Sequence, residues 1–402
     1  MTASLSLTAA LVAARLAGGD RSGRWLEDPG FGVYVHIPFC RHRCHYCDFN
    51  TYEGQDEMHG PYVDALVRDV ERITGEPPEA TSVFFGGGTP TLLGAPELAR
   101  ILGAVRSRVG IASDAEVTIE ANPETVDEAK LSALLDAGFN RVSLGVQSLA
   151  PGVLQALGRT HSAHTALDAI RAARRAGFED INADLIYGSP WERDQDWVTS
   201  VEGVLEVEPD HVAAYALTIE EATPLATLVR TGRVPDVDPD VQAARHAVAE
   251  ELLGAAGFKR YEVSNWARPD RASRHNVLYW SAGDYLGLGA GAHGHTAGRR
   301  AWTVPLPRDF VSRVAQGLTT EDGYESLGPP QRAPEALMLG LRLSSGVDLT
   351  AFRRRFGTEH LAERAAVIEK LVSTGHLQLV DGHLRIAPSS TMLSNDVIAR
   401  LI

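Results

Sequence analysis

Cys40, Cys44 and Cys47 are the only cysteines in a chain of 402 residues, and they share one short stretch, CRHRCHYCDF. Three thiols cannot all pair as disulfides, and a closed structural zinc site takes four ligands. Two kinds of centre remain. Zinc would need a fourth ligand, for which His36, His42 and His45 stand near in sequence. Structural zinc, however, usually draws paired C-x2-C knuckles from two places in a chain, and here there is one. Iron–sulfur clusters are also held by thiolates, normally four for a [4Fe–4S] cube. Three would leave one iron open to a small molecule, and the gap in the cage would be the reactive position. Clustered rather than scattered cysteines fit a reducing compartment, so a cytoplasmic location is expected.

Other residues able to do chemistry recur at one kind of place. Gly86-Gly87-Gly88-Thr89 follow the run SVFF, Glu120 and Asn122 end EVTIEANP, and Gln147 ends RVSLGVQS. Asp184 lies in INADLIYG, and Tyr215 and Thr218 close HVAAYALT. Each run, like FGVYVHIPF before Cys40, is rich in β-branched or aromatic residues and bounded by turn residues, which reads as a strand. Between them lie segments with helical periodicity, at 62–73, 96–109, 127–138, 163–177 and 196–207. That makes six βα-type units from residue 31 to about 220, with strand starts roughly 30 residues apart. Parallel strands joined by right-handed helical crossovers are the simplest solution. In such a barrel the chemistry collects at the C-terminal strand ends, where these residues fall. The expected fold is α/β, a partial (βα)6 barrel, with a doubly wound sheet as the other arrangement.

Beyond residue 220 the alternation stops. A helical run covers 240–257, KRYEVSNWA reads as a strand, and RHNVLYWSAGDYLGLGAGAHGHTAG is rich in Gly, His and aromatics. From about 330, helical segments lead to LVSTGHLQLVDGHLRIAP, two strand-like runs about Asp381-Gly382, a hairpin signal. The expected domains are an N-terminal extension (1–30), the barrel (31–225), an extension carrying HNVLYW (226–325) and a small winged-helix-like α+β domain (326–402). The start has no basic n-region and Arg15 interrupts its apolar stretch, so it does not read as a secretory signal. It is faintly like an organelle transit peptide, and fits better a disordered or loosely helical extension. With 38 basic against 52 acidic residues the net charge is −14, which argues against nucleic acid as a partner. No apolar run is long enough to span a bilayer, which leaves peripheral membrane contact open.

With these residues on view, YVHIPFCRHRCHYCDF resembles the signature of the radical S-adenosylmethionine (SAM) superfamily. Within it, the chain resembles the branch that holds the oxygen-independent coproporphyrinogen III oxidase HemN and the haem chaperone HemW, over nearly its whole length from residue 31. The resemblance implies the radical SAM partial barrel. It implies that Cys40, Cys44 and Cys47 each bind one iron of a [4Fe–4S] cluster, whose fourth iron chelates the amino and carboxylate groups of SAM. Gly87, Gly88 and Thr89, in GGGTP, match the motif along the aminocarboxyl end of SAM, where missing Cβ atoms would allow close backbone approach. Tyr34 and Tyr46 match aromatic positions flanking the cluster and adenine. Glu120, Gln147, Arg159 (in LGRTH) and Asp184 match further SAM contacts, some of which hold a second SAM in certain members. Singly, each is an ordinary strand-end polar residue or helix cap. The implied chemistry is one-electron reduction of SAM, with an outside electron donor, to give a 5′-deoxyadenosyl radical.

Two features bear on the branch. The oxidases carry a fourth cysteine, C-x3-C-x2-C-x-C, where this chain has Phe49, and they have a longer N-terminal part. A phenylalanine there matches the haem chaperones. HNVLYW, His275 to Trp280, matches their H-N-x-x-Y-W motif. His275 is then a candidate axial ligand for haem iron, with Tyr279 and Trp280 packing the macrocycle. The plainer role is a structural hydrogen bond in a strand or turn, and His293 and His295 are the next candidates. The resemblance implies a haem chaperone that binds a [4Fe–4S] cluster, SAM and haem and delivers haem to acceptors such as respiratory enzymes; enzymatic turnover of SAM stays open. The rivals are an oxygen-independent coproporphyrinogen III dehydrogenase and a zinc-stabilised interaction protein. GAGAHG (289–294) fits G-x-G-x-x-G but is not expected to follow a βαβ strand, and GGGTP lacks the Gly-Lys-Ser/Thr of a phosphate loop.

Overall fold

In the computed structural model, which describes residues 21–402, the six expected strands lie side by side in chain order. They are β1 (Phe31–Ile37), β2 (Ala80–Gly87), β3 (Ile111–Ala121), β4 (Arg141–Gln147), β5 (Ile181–Tyr187) and β6 (His211–Ala216), and all are parallel. A doubly wound sheet would reverse its strand order at a switch point; this sheet does not, and it forms the arc of a partial barrel. Successive strand residues point to opposite faces. Val33, Val35 and Ile37 of β1 are fully buried under the outer helices, as are Val83 and Phe85 of β2. The opposite set faces the barrel interior: Tyr34 lies over Phe84, ring centres 6.3 Å apart. The connecting helices have clear ends. Asp127 and Ser162 cap Glu128–Ala137 and Ala163–Ala176 by accepting the N–H of Lys130 and Thr165. Both helices stop on left-handed glycines, Gly138 and Gly177.

The sheet does not end with these six. KRYEVSNWA, read as one strand, is a tight antiparallel pair, β7 (Lys259–Arg260) and β8 (Asn265–Ala267), closed by Tyr261 N–H donating to the Asn265 carbonyl at 3.1 Å. In the Gly- and His-rich stretch, β9 (Asp284–Leu288) lies parallel to β1 on its free side. It is followed by antiparallel β10 (His293–Thr296), β11 (Arg299–Thr303) and β12 (Glu321–Ser326). The full order is β12-β11-β10-β9-β1-β2-β3-β4-β5-β6-β8-β7. GAGAHG therefore does follow a parallel strand, but another strand rather than a helix comes next, so no phosphate-binding helix end is built.

HNVLYW is a helix, Arg274–Trp280, capped by the Ser273 side chain. It sits at the N-terminal ends of the strands, opposite the mouth. Glu116 of β3 accepts from Ser273 Oγ and from the N–H groups of Arg274 and His275, at 2.9 to 3.2 Å. The C-terminal unit has helices at Pro329–Gly340, Leu349–Phe356 and Ala365–Ser373. Its sheet holds β13 (Val347–Asp348), β14 (Leu377–Val380) and β15 (His383–Ile386) in the order β13-β15-β14. The hairpin turns at Asp381 and Gly382, both at positive φ, as that pair of residues favours.

Residues 21–30 are packed. Arg21 pairs with Asp180 and Glu116. Trp25, 5% exposed, enters the core of the C-terminal unit beside Phe352, with Arg355 over its ring at 5.1 Å. The Ser/Ala-rich start, residues 1–20, lies outside the described residues. Among the described residues no helix is long and apolar enough to cross a membrane.

Candidate functional site

After β1, Pro38 turns the chain into a loop across the barrel mouth that carries the three cysteines. Phe39–Cys40 pairs with Tyr52–Glu53, and Tyr52 N–H donates to the Pro38 carbonyl at 2.7 Å. The glycine loop after β2 carries this segment: Gly88 and Thr89 donate their N–H groups to the Ile37 and Phe39 carbonyls at 2.8 and 2.7 Å. On the other flank His45 N–H donates to Leu157 O at 3.0 Å, and Leu225 N–H to His45 O at 2.9 Å. All three thiols are free and half-buried. Burial pushes the Cys40 thiol up to about 11 and raises Cys47 as well, so bound cations are what would make them thiolates.

A chain of hydrogen bonds joins two of the sulfurs through three strand ends. The Thr89 hydroxyl donates to Cys40 Sγ at 3.8 Å and accepts from Asn122 Nδ2 at 3.0 Å. Arg159 donates to Asn122 Oδ1 at 2.6 Å, to the Gly145 carbonyl at 2.9 Å and to Cys44 Sγ at 3.4 Å. Hydrogen bonds to cluster sulfurs are one lever by which proteins tune such centres. The loop and strand ends enclose a cavity of about 350 Å3 that brings together Cys40, Cys44, Cys47, Tyr46, Gly87, Gly88, Thr89, Glu120, Gln147, Arg159 and Asp184. Gln147 reaches it from a bulge after Gly145 with a left-handed backbone, φ 64°.

Two buried carboxylates dominate the polar wall. Glu120 accepts from Gly87 N–H at 3.2 Å. Burial first, and then the Asp184 charge, hold its pKa up at about 8. Asp184 is also raised by burial, although Asn182 Nδ2 and Ser143 Oγ donate to it at 2.7 and 3.0 Å. Carboxylates so placed suit a ligand that brings positive charge with amino and hydroxyl donors, and SAM has a sulfonium, an amine and a ribose diol. The donor set fits the group. Among the described residues no three or more His, Cys, Asp and Glu side chains gather as the ligands of a single ion do. Of the nearby histidines, His36 has both ring nitrogens engaged, by Tyr34 Oη and the Asn50 carbonyl. His45 Nδ1 meets the Ala156 carbonyl, and His42 pairs with Glu53 at 3.6 Å.

The glycines also serve the packing of the cysteine loop. A Cβ on Gly88 would run into the Phe39 carbonyl, and one on Gly87, at φ 113°, into the His36 ring. Their small size lets β2 press against the cysteine loop, and both also line the cavity. Tyr34 is not in the cavity wall; it is buried one layer down against Phe84 and His36. Phe49 stands at the rim, 64% exposed.

His275 is far from the mouth, 1% exposed beneath the barrel. Its Nδ1 meets Ser82 Oγ at 2.9 Å and its Nε2 meets Tyr279 Oη at 2.8 Å, with the ring stacked on Phe84. Burial holds its pKa down at about 3. Iron ligation there would require breaking one of these bonds, and the structure gives it the plainer role, in a helix. His293 stacks on Trp302, and His295 pairs with Asp284 at 3.4 Å. Asn122 and Tyr215, read from the sequence only as strand-end residues, also line the mouth, and so does Ser143, which sequence reasoning left out. Their signal was available in the phase of each strand, since they share the inward face with Glu120, Gly145 and Asp184.

Comparison with known proteins agrees with this geometry. Residues 34–204 match the radical SAM superfamily, and residues 327–390 match the HemN C-terminal domain. The protein named heme chaperone HemW in Mycobacterium tuberculosis is 40% identical over 378 residues, covering 92% of this chain and 95% of that one. The Bacillus subtilis protein of the same name is 31% identical over 375 residues, covering 92% and 98%. The mitochondrial radical S-adenosyl methionine domain-containing protein 1 of Bos taurus is 37% identical over 332 residues, covering 81% and 72%. Among solved structures, Escherichia coli coproporphyrinogen III oxidase, HemN, overlays with a TM-score of 0.80 at 20% identity, covering 95% and 92%, and shares the fold. With its cysteine loop, its barrel and its C-terminal unit all matched, and relatives of 31–40% identity covering 92% of its length, the chain belongs to the HemW family of the radical SAM superfamily.

Proposed function

We propose that this protein is a haem chaperone that holds a [4Fe–4S] cluster on Cys40, Cys44 and Cys47, binds SAM at the barrel mouth, and delivers haem to acceptor proteins such as respiratory enzymes in the cytoplasm. The observation that carries the cluster and SAM is the hydrogen-bonded shell Cys40–Thr89–Asn122–Arg159–Cys44, open on one side to a cavity with two raised carboxylates. Haem as cargo is supported by relatives named heme chaperone that match 92% of the chain. Held by the thiolates of Cys40, Cys44 and Cys47, such a cluster would keep one iron free of protein ligands for SAM and, with an outside electron donor, would supply the electron for reductive cleavage of SAM. The chain's own residues do the rest. Arg159 and Thr89 donate to the sulfurs, Glu120 and Asp184 receive the cationic ligand, and Tyr46 and the strand ends shape a cavity that limits water. Phe49 stands where the coproporphyrinogen oxidases carry a fourth cysteine, which favours the chaperone over oxidative decarboxylation.

The test uses one anaerobically reconstituted preparation. We expect close to one [4Fe–4S] cluster per chain, a change in its electron-spin spectrum on adding SAM, haem transfer to an apo-acceptor, and no turnover of coproporphyrinogen III. Stoichiometric zinc without labile sulfide would remove the cluster reading, and multiple-turnover decarboxylation would remove the chaperone reading.

A further inference from the structure

A second cavity, of about 590 Å3, lies between the barrel-closing helix Arg274–Trp280, the β9–β11 strands and the helix Pro329–Gly340. Small-molecule sites span about 300–1,000 Å3, and this one shares only Tyr215 with the cavity at the cysteine mouth. Part of its wall is broad and apolar. Tyr279 and Tyr285 meet edge to face, 4.6 Å between centres, and Trp280 and Phe356 continue the surface. The Trp280 indole N–H is buried with no hydrogen-bond partner.

The polar part has three cations in different states. Arg300 is committed to Glu325 and Glu335, at 2.5 and 2.7 Å. Arg332 and Arg342 line the same cavity, and among the described residues neither makes an ion pair. Burial lowers the pKa of Arg342, and the one carboxylate that opposes this effect, Glu262, is itself held by Asn265 and the Ser264 N–H. Two unpaired guanidinium groups beside an aromatic wall suit a flat, apolar dianion, since each arginine can take a carboxylate in two parallel hydrogen bonds. His295 completes the set. Its Nδ1 faces the Asp284 carboxylate at 3.4 Å, its side chain is 16% exposed, and no described protein group bonds its Nε2. A histidine that gives one ring N–H to a carboxylate is oriented to offer the other nitrogen to a metal.

We propose that this cavity is the haem seat. The macrocycle lies against Tyr279, Trp280, Tyr285 and Phe356, the two propionates meet Arg332 and Arg342, and the iron takes His295 Nε2. The assignment rests on the haem reading above; what it adds is the place and the groups. The bond formed is a coordination bond from a neutral imidazole, with the ring proton staying on Nδ1 toward Asp284. His275 is here a positioning residue: it holds the Tyr279 hydroxyl at 2.8 Å from beneath the wall.

Ferric haem titrated into the full-length, cluster-loaded protein tests this by absorbance and electron-spin resonance. The parent should take one haem per chain. His295→Ala should shift the axial-ligand spectrum, with added imidazole restoring it, while cluster content stays unchanged. His295→Met should give the spectrum of a sulfur ligand, a change that a merely structural role would not produce. The Arg332→Ala/Arg342→Ala pair should weaken haem by about tenfold or more per arginine. The parent should lose the same factor when the propionates are esterified, and the double variant should not distinguish haem from its dimethyl ester. Unchanged spectra in both His295 variants, with full discrimination against the ester in the arginine pair, would place haem elsewhere and leave the chaperone reading standing. A parent that binds no haem would overturn both.

Discussion

The imidazole of His275 is held at both nitrogens, and burial takes its pKa from about 6.5 to about 3. A base whose folded pKa is depressed contributes stability that is full above the unfolded value and is lost as pH falls toward the folded one, because the unfolded chain takes the proton first. Stability should therefore fall between pH 6.5 and 3, and His275→Gln should flatten that slope while costing about 1–3 kcal/mol at pH 8, where Ser82 and Tyr279 partly lose their partner. Urea unfolding at a series of pH values measures both; parallel curves for parent and variant would sink the idea. Glu120 has the opposite sign. Its pKa is raised from 4.5 to about 8, so its contribution is present below 4.5 and is lost as pH rises through 8. A cationic ligand offsets that loss, so SAM affinity should rise with pH up to about 8, and Glu120→Gln should remove the rise in calorimetric titrations. Gly88→Ala separates loop from ligand. Its Cβ meets the Phe39 carbonyl, so we expect lost iron and sulfide, not merely weaker SAM binding.

At the scale of elements, the packed N-terminal strap is the part most open to test. Arg21 ties β3 and β5 at the closed end of the barrel through Glu116 and Asp180, and four residues on Trp25 enters the C-terminal unit. Trp25→Ala removes a buried indole and should cost about 3–5 kcal/mol. Melting followed by cluster absorbance and by circular dichroism should then separate, with the C-terminal unit loosening before the barrel; a single unshifted transition would show that the strap is dispensable. The six βα units were legible because period-two and helical runs alternate without interruption and are punctuated by Gly138, Gly177 and Pro38. β9 was not. DYLGL mixes Asp and Gly into a strand whose partner, β1, lies some 250 residues earlier in the chain, and no local pattern reports such a pairing. HNVLYW was legible as a motif but not as a place. Its spacing gives no sign that the histidine points into the closed end of the barrel while Tyr279 and Trp280 face another cavity. The cysteines were legible because three thiols in one turn-rich loop have few other uses. Asn122, which links their shell, looks like any strand-end amide until its partners are seen.

For the whole molecule, the two cavities are not independent. Tyr215, at the end of β6, lines both, and 42% of its surface is open. It is the residue that the cysteine mouth and the proposed haem seat have in common. A ligand on either side restricts the same ring, so the second ligand meets a wall already ordered and loses less conformational freedom on binding. SAM and haem should therefore tighten each other, and thermodynamic linkage requires the two factors to be equal. We expect a factor of about five or more, the lower end of usual allosteric coupling. The measurement is a square of four titrations: haem with and without saturating SAM, and SAM with and without saturating haem. Tyr215→Ala should bring the factor close to one while each ligand still binds alone. A factor of one in the parent would mean that the wall transmits nothing. Unequal factors would show that the titrations had not reached equilibrium, and longer incubation should then bring them together. A factor that survives in Tyr215→Ala would send the coupling through another route, the closest being β9 and its contact with β1, which borders both the cysteine loop and the helix Arg274–Trp280.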